Sequence, residues 1–389
     1  MRANPGGTIE PADVIGRDAL IADLWRDLER RSVVLSSERR MGKTCTIRKM
    51  TAEPPPGRLP IFHDLEALRT PLEFVEGVFH DVEGYLSRFQ RAAAGTRKLL
   101  AHLSGAEFHG VKIPEIAAAH WKELLARLVE DLVEHLDCTL VFFWDEFPLM
   151  IHNIQEKEGA EEATQLLDLL RSLRQMNPRI RMVYTGSIGL QNVITSLKRN
   201  GYANEPINDM ARYSLPPLAL PDAKELAQRL LEGEGIQTHD PDSLARTIAE
   251  ATDCIPYLIH HTVNKMAVDD GKPTPEAVEG IVLGGLTDAD DAWDMRHYRT
   301  RIDRYYSPEE TPFALGILDV LAGSGGPLPF ARVFNGVKSQ IETEDKELAT
   351  HVLDLLLGDH YLVQESGGDY RFQFPIVHRW WRLHRGIGS

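Results

Sequence analysis

The sequence predicts an α/β fold, with a mostly parallel sheet formed first and a helical region after it. Three observations predict this. Short β-prone runs alternate with helical patterns from residue 13 to residue 218. One run, Leu140 to Trp144, is apolar without a break, as expected of a strand buried on both faces of a parallel sheet. From Pro221 the strand-like runs stop and helical patterns follow one another.

Taken in order, residues 1–12 are rich in Pro and Gly and form an arm. A helix follows, with Leu20, Ile21, Leu24 and Leu28 on one face. Ser32 to Leu35 form a strand, and a helix begins near Lys43. Pro54 to Arg58 connect to a second strand, Leu59 to Glu66. Residues 71–89 carry Phe74, Val75, Val78, Phe79, Val82, Leu86 and Phe89 at helical spacing. Residues 92–114 are small and polar and form an inserted loop, and 116–136 form a long helix. After the apolar strand come a helix over 160–175, a strand and Gly/Ser turn over 179–190, and a last strand over 211–218.

Helices are then expected at 222–234, 241–253, 255–268 and 274–285, with a linking helix over 288–306. The remainder has helical segments near 313–321, 328–338 and 345–357, and two short strands around Gly367 and Gly368. Helices followed by a hairpin outline a winged helix-turn-helix. Trp380 and Trp381 read as anchors of a basic closing helix, and His260 and His261 as packing residues. The expected division is a core over 1–220, a helical lid over 221–287, a linker helix over 288–310 and a winged-helix domain over 311–389.

Composition restricts the function. The 389 residues carry a net charge of −15, which argues against a broad nucleic-acid surface. No run of 18 apolar residues occurs, and the first residues lack the apolar core of a signal peptide. Cys45, Cys138 and Cys254 lie far apart, as reduced thiols of a cytoplasmic protein would.

The chemistry concentrates at two places. The run SVVLSSERRMGKT places a strand, a loop, Gly42-Lys43-Thr44 and a helix in succession, the context of a phosphate-binding P-loop. Such a loop turns backbone N–H groups inward, and the helix adds its positive end. The candidate phosphate-binding residues are Arg39, Arg40, Met41, Gly42, Lys43, Thr44 and Cys45. Lys43 is expected to reach the β- and γ-phosphates, and the Thr44 hydroxyl to ligate Mg²⁺. The pattern wants Gly where Ser37 stands, and a left-handed φ costs Ser more than Gly. The second place is Asp145-Glu146, at the end of the apolar strand and so at the edge where parallel sheets bind ligands. Asp145 is expected to hold the Mg²⁺ and Glu146 to polarise the attacking water. Thr185 and Ser187 end the next strand and are candidates to sense the γ-phosphate or to position the water. Arg212 opens the last strand and is a candidate to face phosphates of its own or a neighbouring subunit.

At these residues the chain resembles the AAA+-related P-loop ATPases of the archaeal-ATPase and STAND type. The matching pieces are IGRD from Ile15, ERRMGKT from Glu38, FHDLE from Phe62 and VFFWDEF from Val141. YTGSIGL from Tyr184, ARYSLPPL from Ala211 and CIPYLIHH from Cys254 continue the series. The resemblance implies that Ile15, Gly16 and Arg17 line a base pocket and that Pro256 is a lid proline contacting the nucleotide. The sequence departs from that pattern at Ser37, and no arginine stands clearly on the lid helix after Pro256.

The expectation is therefore an ATPase with ATP and Mg²⁺ as cofactors, acting as a switch that regulates or assembles with a partner protein or with itself. Turnover is expected to be slow or to need a partner. The other readings are an initiator-like or mobile-element/defence-associated DNA-binding ATPase that uses its winged helix, and a nucleotide-binding scaffold with negligible turnover. Residues 311–389 hold seven Lys and Arg against nine Asp and Glu, whereas a DNA-reading winged helix is normally basic. A protein partner is thus expected ahead of DNA, and no membrane.

Overall fold

The computed structural model describes residues 1–86, 120–186, 189–269 and 273–388. The expected inserted loop over 92–114, Phe89 and Ser187 lie outside them. The chain divides into two compact units. One comprises Arg17–Ser36 and Lys43–Leu215, the other Met1–Gly16, Ser37–Gly42 and Pro216–Ser389.

The first unit is the α/β part. Its helices are α1 (Asp18–Leu28), α2 (Lys43–Ala52), α3 (Pro71–Leu86) and α4 (Trp121–His135), then α5 (Phe147–Glu158), α6 (Ala160–Met176) and α7 (Leu190–Arg199). Its strands are β1 (Val33–Ser36), β2 (Arg58–Asp64), β3 (Thr139–Asp145), β4 (Ile180–Gly186) and β5 (Ala211–Ser214). They form one sheet in the order β2-β3-β4-β1-β5, and every pairing is parallel. The order leaves short β5 on one edge and half-buried β2 on the other, while β3 and β4 are buried throughout but for Thr139. This is why the Leu140 to Trp144 run shows no alternation.

Two helices, α5 and α7, have no counterpart in the expected series. The first begins at Phe147, directly after Glu146, and Pro148 suits its first turn. The second begins after Gly189 and buries Leu190, Val193, Ile194 and Leu197 on one face. Buried Arg174 of α6 ties the strand layer together. It donates to Tyr184 Oη at 2.7 Å, to the Pro206 carbonyl at 2.7 Å and to Asp209 at 2.9 Å. Burial pushes the Tyr184 hydroxyl up to about 12, against the pull of Arg174, so it stays protonated. Tyr184 in turn stacks on Phe147 with ring centroids 3.8 Å apart.

The second unit is mainly helical: α8 (Leu220–Gly233), α9 (Pro241–Ala251), α10 (Pro256–Val268), α11 (Pro275–Thr287) and α12 (His297–Tyr305). The expected linking helix over 288–306 is helical only in α12; residues 288–296 are turns fixed by Asp288 and Asp291 carboxylates accepting backbone N–H groups. Then come α13 (Glu310–Ala322), α14 (Phe330–Ile341) and α15 (Lys346–Gly358), the antiparallel hairpin β6 (Leu362–Gln364) and β7 (Tyr370–Phe372), and α16 (Pro375–Arg385). Three helices followed by a hairpin are the order expected, and Leu328 adds a bridge to Tyr370. Trp380 and Trp381 are both buried, and Trp381 donates to Asp319 at 2.8 Å. His260 is buried too and accepts the Asn4 N–H at 3.1 Å. No helix among the described residues is long and apolar enough to cross a membrane.

Candidate active site

The parallel register brings the C-terminal ends of β1, β3 and β4 side by side, with Leu35 opposite Thr185 and Trp144 opposite Tyr184. Asp145 therefore emerges beside Thr185. The Thr185 hydroxyl donates to Asp145 Oδ1, and the Thr44 hydroxyl donates to Asp145 Oδ2 at 2.6 Å. The Glu146 N–H also donates to Asp145 Oδ1, at 3.1 Å. Three donors thus fix both oxygens of a buried carboxylate. Lys43, one residue before Thr44, opens α2 and is buried.

Glu146 lies between β3 and α5 with φ of 53°, a left-handed conformation uncommon for a residue with a Cβ. Its position depends on Gly186 at the end of β4. A Cβ there would stand 2.5 Å from Pro148 Cδ and 3.6 Å from Glu146 Oε2. The glycine lets the start of α5 close onto β4 and brings the Glu146 carboxylate to the same sheet edge as Asp145 and Thr185.

The hydroxyl of Thr44 and the carboxylate of Asp145 are hard oxygen donors in direct contact. That set fits Mg²⁺, which takes one or two carboxylates and completes its shell with water and phosphate oxygens. Arg212 is not brought to them. It is exposed on edge strand β5, level with Val34, with β1 and β4 between its strand and β3. Arg17 is buried in this unit and precedes α1, and Cys45 is half-buried in α2.

The remaining candidates belong to the helical unit. The segment Ser37–Gly42 has two left-handed residues, Arg40 at φ 68° and Gly42 at φ 87°. Ser37 is not one of them, so the missing glycine costs no backbone strain. Arg39 and Arg40 both pair with Asp294, at 3.0 and 3.3 Å, and the Arg40 guanidinium lies 4.3 Å above the Tyr257 ring. Met41 is buried. Ile15 is half-buried, and Gly16 has φ of 69° and stands so close to Asp222 of α8 that a Cβ would meet it at 2.7 Å. Pro256 opens α10, preceded by Asp253 and Cys254, both with positive φ.

Sequence reasoning missed Asp294, His297 and Arg301. Glu38 is fully buried, and Arg301 donates to its Oε1 and Oε2 at 2.9 and 3.1 Å. The His297 ring reaches the same carboxylate at 3.2 Å. Burial alone would push the Glu38 carboxyl up; Arg301, followed by His297 and the Arg39 N–H, outweighs it and holds the group at about 2. The i, i+3, i+7 spacing of Asp294, His297 and Arg301 was visible, but their partners stand more than 250 residues earlier.

No protein-family model and no curated protein matches the sequence. Solved structures do match. A Walker-type ATPase of Pyrococcus abyssi is similar with a TM-score of 0.68 and 16% identity, over 98% of this chain and all of that one. The ORC2 protein of Aeropyrum pernix, solved in ADPNP and ADP complexes, is similar with a TM-score of 0.53 and 12% identity, over 95% of each chain. At such identities the shared property is the fold. The chain has the α/β fold, with a five-stranded parallel sheet and many helices, of the P-loop ATPases.

Proposed function

We propose that this chain binds and hydrolyses ATP as a molecular switch of the AAA+/STAND kind. The observation that carries the reading is the contact of Thr44 and Thr185 with the two oxygens of buried Asp145 at the C-terminal sheet edge. In this reading Lys43 contacts the β- and γ-phosphates, and Thr44 and Asp145 hold Mg²⁺. The ion, when bound, neutralises charge on the phosphate oxygens. Thr185 keeps the Asp145 carboxylate aimed. Glu146 accepts the proton of the water that attacks the γ-phosphate. Ile15, Gly16, Arg17 and Pro256 form the base site, and the loop residues Arg39 to Cys45 the phosphate site.

We assign the core, the lid, the linker and the C-terminal winged helix to the divisions given by the sequence, and a protein partner to the winged helix. The arginines of its last nineteen residues support the partner assignment, because each is engaged within the chain. Arg371 pairs with Glu365, Arg379 with Glu279 and Arg385 with Asp319, and Arg382 donates to the Gly388 carbonyl.

The test is nucleotide affinity. Lys43→Ala removes a charge-assisted contact worth about 1.5–3 kcal/mol, so ATP should bind roughly tenfold or more weakly. Equal affinity in the two proteins, by isothermal titration with Mg²⁺ present, sinks the assignment.

A further inference from the structure

The loop between β1 and α2 contains a carboxylate where the proposed function requires a triphosphate to bind. Glu38 lies five residues before Lys43. A bare carboxylate there would repel phosphate, and its burial would be costly by itself. The structure cancels that charge from a distant part of the chain. The approach to α12 and the helix itself present Asp294, His297 and Arg301 at i, i+3 and i+7, and these meet the run Glu38-Arg39-Arg40. Asp294 takes both arginines, and His297 and Arg301 take the glutamate.

The two contacts differ in weight. The Arg39 and Arg40 pairs are partly exposed, and such pairs contribute little. Glu38 and Arg301 are buried, so loss of either leaves an uncompensated charge. Glu38 also orders its own loop. Its Oε1 accepts the Arg39 N–H at 2.8 Å, and its carbonyl accepts the Ser37 hydroxyl at 3.0 Å.

Arg301 has a second duty. Its other terminal nitrogen donates to the Asp359 carbonyl at the end of α15, and its guanidinium lies 4.7 Å over the Tyr361 ring. The Asp359 carboxylate accepts the Tyr306 hydroxyl at 3.0 Å, and the Tyr361 hydroxyl donates to the Tyr298 carbonyl at 2.7 Å. One planar side chain thus joins the loop over residues 37–42 to the junction of α15 and β6.

We propose that Arg301 is a positioning residue for the phosphate-binding loop, and that its fork couples the conformation of residues 37–42 to that of the C-terminal region at Asp359–Tyr361. The coupling rests on the ATPase reading for its purpose but not for its existence. Hydrogen exchange without nucleotide therefore tests it separately. In Arg301→Met, amides of residues 38–42 and 359–361 should exchange at least tenfold faster than in the wild type, while β3 and β4 stay protected. Arg301→Lys keeps a charge for Glu38 but loses the fork. It should keep the loop protected and release residues 359–361 alone. The double variant Glu38→Gln/Arg301→Met removes the buried Glu38 charge together with its partner and serves if the single variant does not fold; its loop should also exchange at least tenfold faster. Wild-type exchange of residues 38–42 in the Met variant, or in the double variant, overturns the proposal. So does a Lys variant identical to the wild type at residues 359–361. With Mg²⁺-ATP added, Arg301→Met should bind roughly tenfold more weakly. Absence of ATP binding in the wild type would remove the ATPase reading and leave the exchange result standing.

Discussion

Glu146 meets two demands at once. It holds a left-handed backbone conformation that costs a residue with a Cβ roughly 1–2 kcal/mol, and it presents a carboxylate beside Asp145. Strain of this kind persists where the surroundings over-determine it, here Gly186 behind the residue and Pro148 after it. Glu146→Gln keeps the size and polarity and removes the carboxylate that the proposed function uses as its base. Turnover should fall about 10²–10⁴-fold with ATP still bound. Unchanged steady-state phosphate release from contaminant-free protein would remove Glu146 from the reaction. At this scale much was legible. Gly-Lys-Thr after a strand and Asp-Glu after an apolar run are local patterns, and the fold brings Thr44 and Asp145 of these runs into contact. Asp294, His297 and Arg301 were not legible, because a charge pattern names its partner only when the fold supplies it.

The helix elements show where period and punctuation suffice. Helices α8 to α11 follow their expected positions because each starts with Pro in its first turn. Helix α5 was hidden by an apolar run that continues from β3 across Asp145 and Glu146. Helix α16 depends on an element far away in sequence. The first-turn N–H of Ile376 donates to Asp253 Oδ2 at 2.6 Å, so a residue before α10 caps it. Burial pushes the Asp253 carboxyl up to about 6, against the pull of that N–H, while an Asp in the unfolded chain titrates near 3.9. The folded state thus holds the proton more tightly. The stability from this group is fully present below about pH 4 and is lost as pH rises through about 6. Asp253→Asn keeps an acceptor for the Ile376 N–H, suits the φ of 51° and does not ionise. It should be more stable than the wild type by about 2–3 kcal/mol at pH 7.5, with the difference vanishing near pH 4. Denaturant unfolding at the two pH values measures this, and a pH-independent difference excludes it.

For the whole molecule, charge decides the expected partner. The net charge of −15 repels a phosphate backbone, and Arg379 and Arg385 are paired within the chain. Duplex DNA should therefore bind weakly or not at all at physiological salt, as read by fluorescence anisotropy. Tight, salt-sensitive binding that disappears in Arg379/Arg382/Arg385→Ala would promote the DNA-binding reading instead. The α/β character and the later helical region were legible because each rests on repeating patterns. The strand order and the allotment of Ser37–Gly42 to the helical unit were not, since both come from long-range contacts. That allotment sets a schedule for synthesis. Glu38 leaves the ribosome 263 residues ahead of Arg301, an interval of about 13–50 s at the usual ~5–20 residues per second. Every strand of the sheet has been made before His297 and Arg301 exist. On the function proposed above, a nascent chain that stops short of α12 has no means of neutralising Glu38 from that helix, and ATP turnover waits until Arg301 has been made.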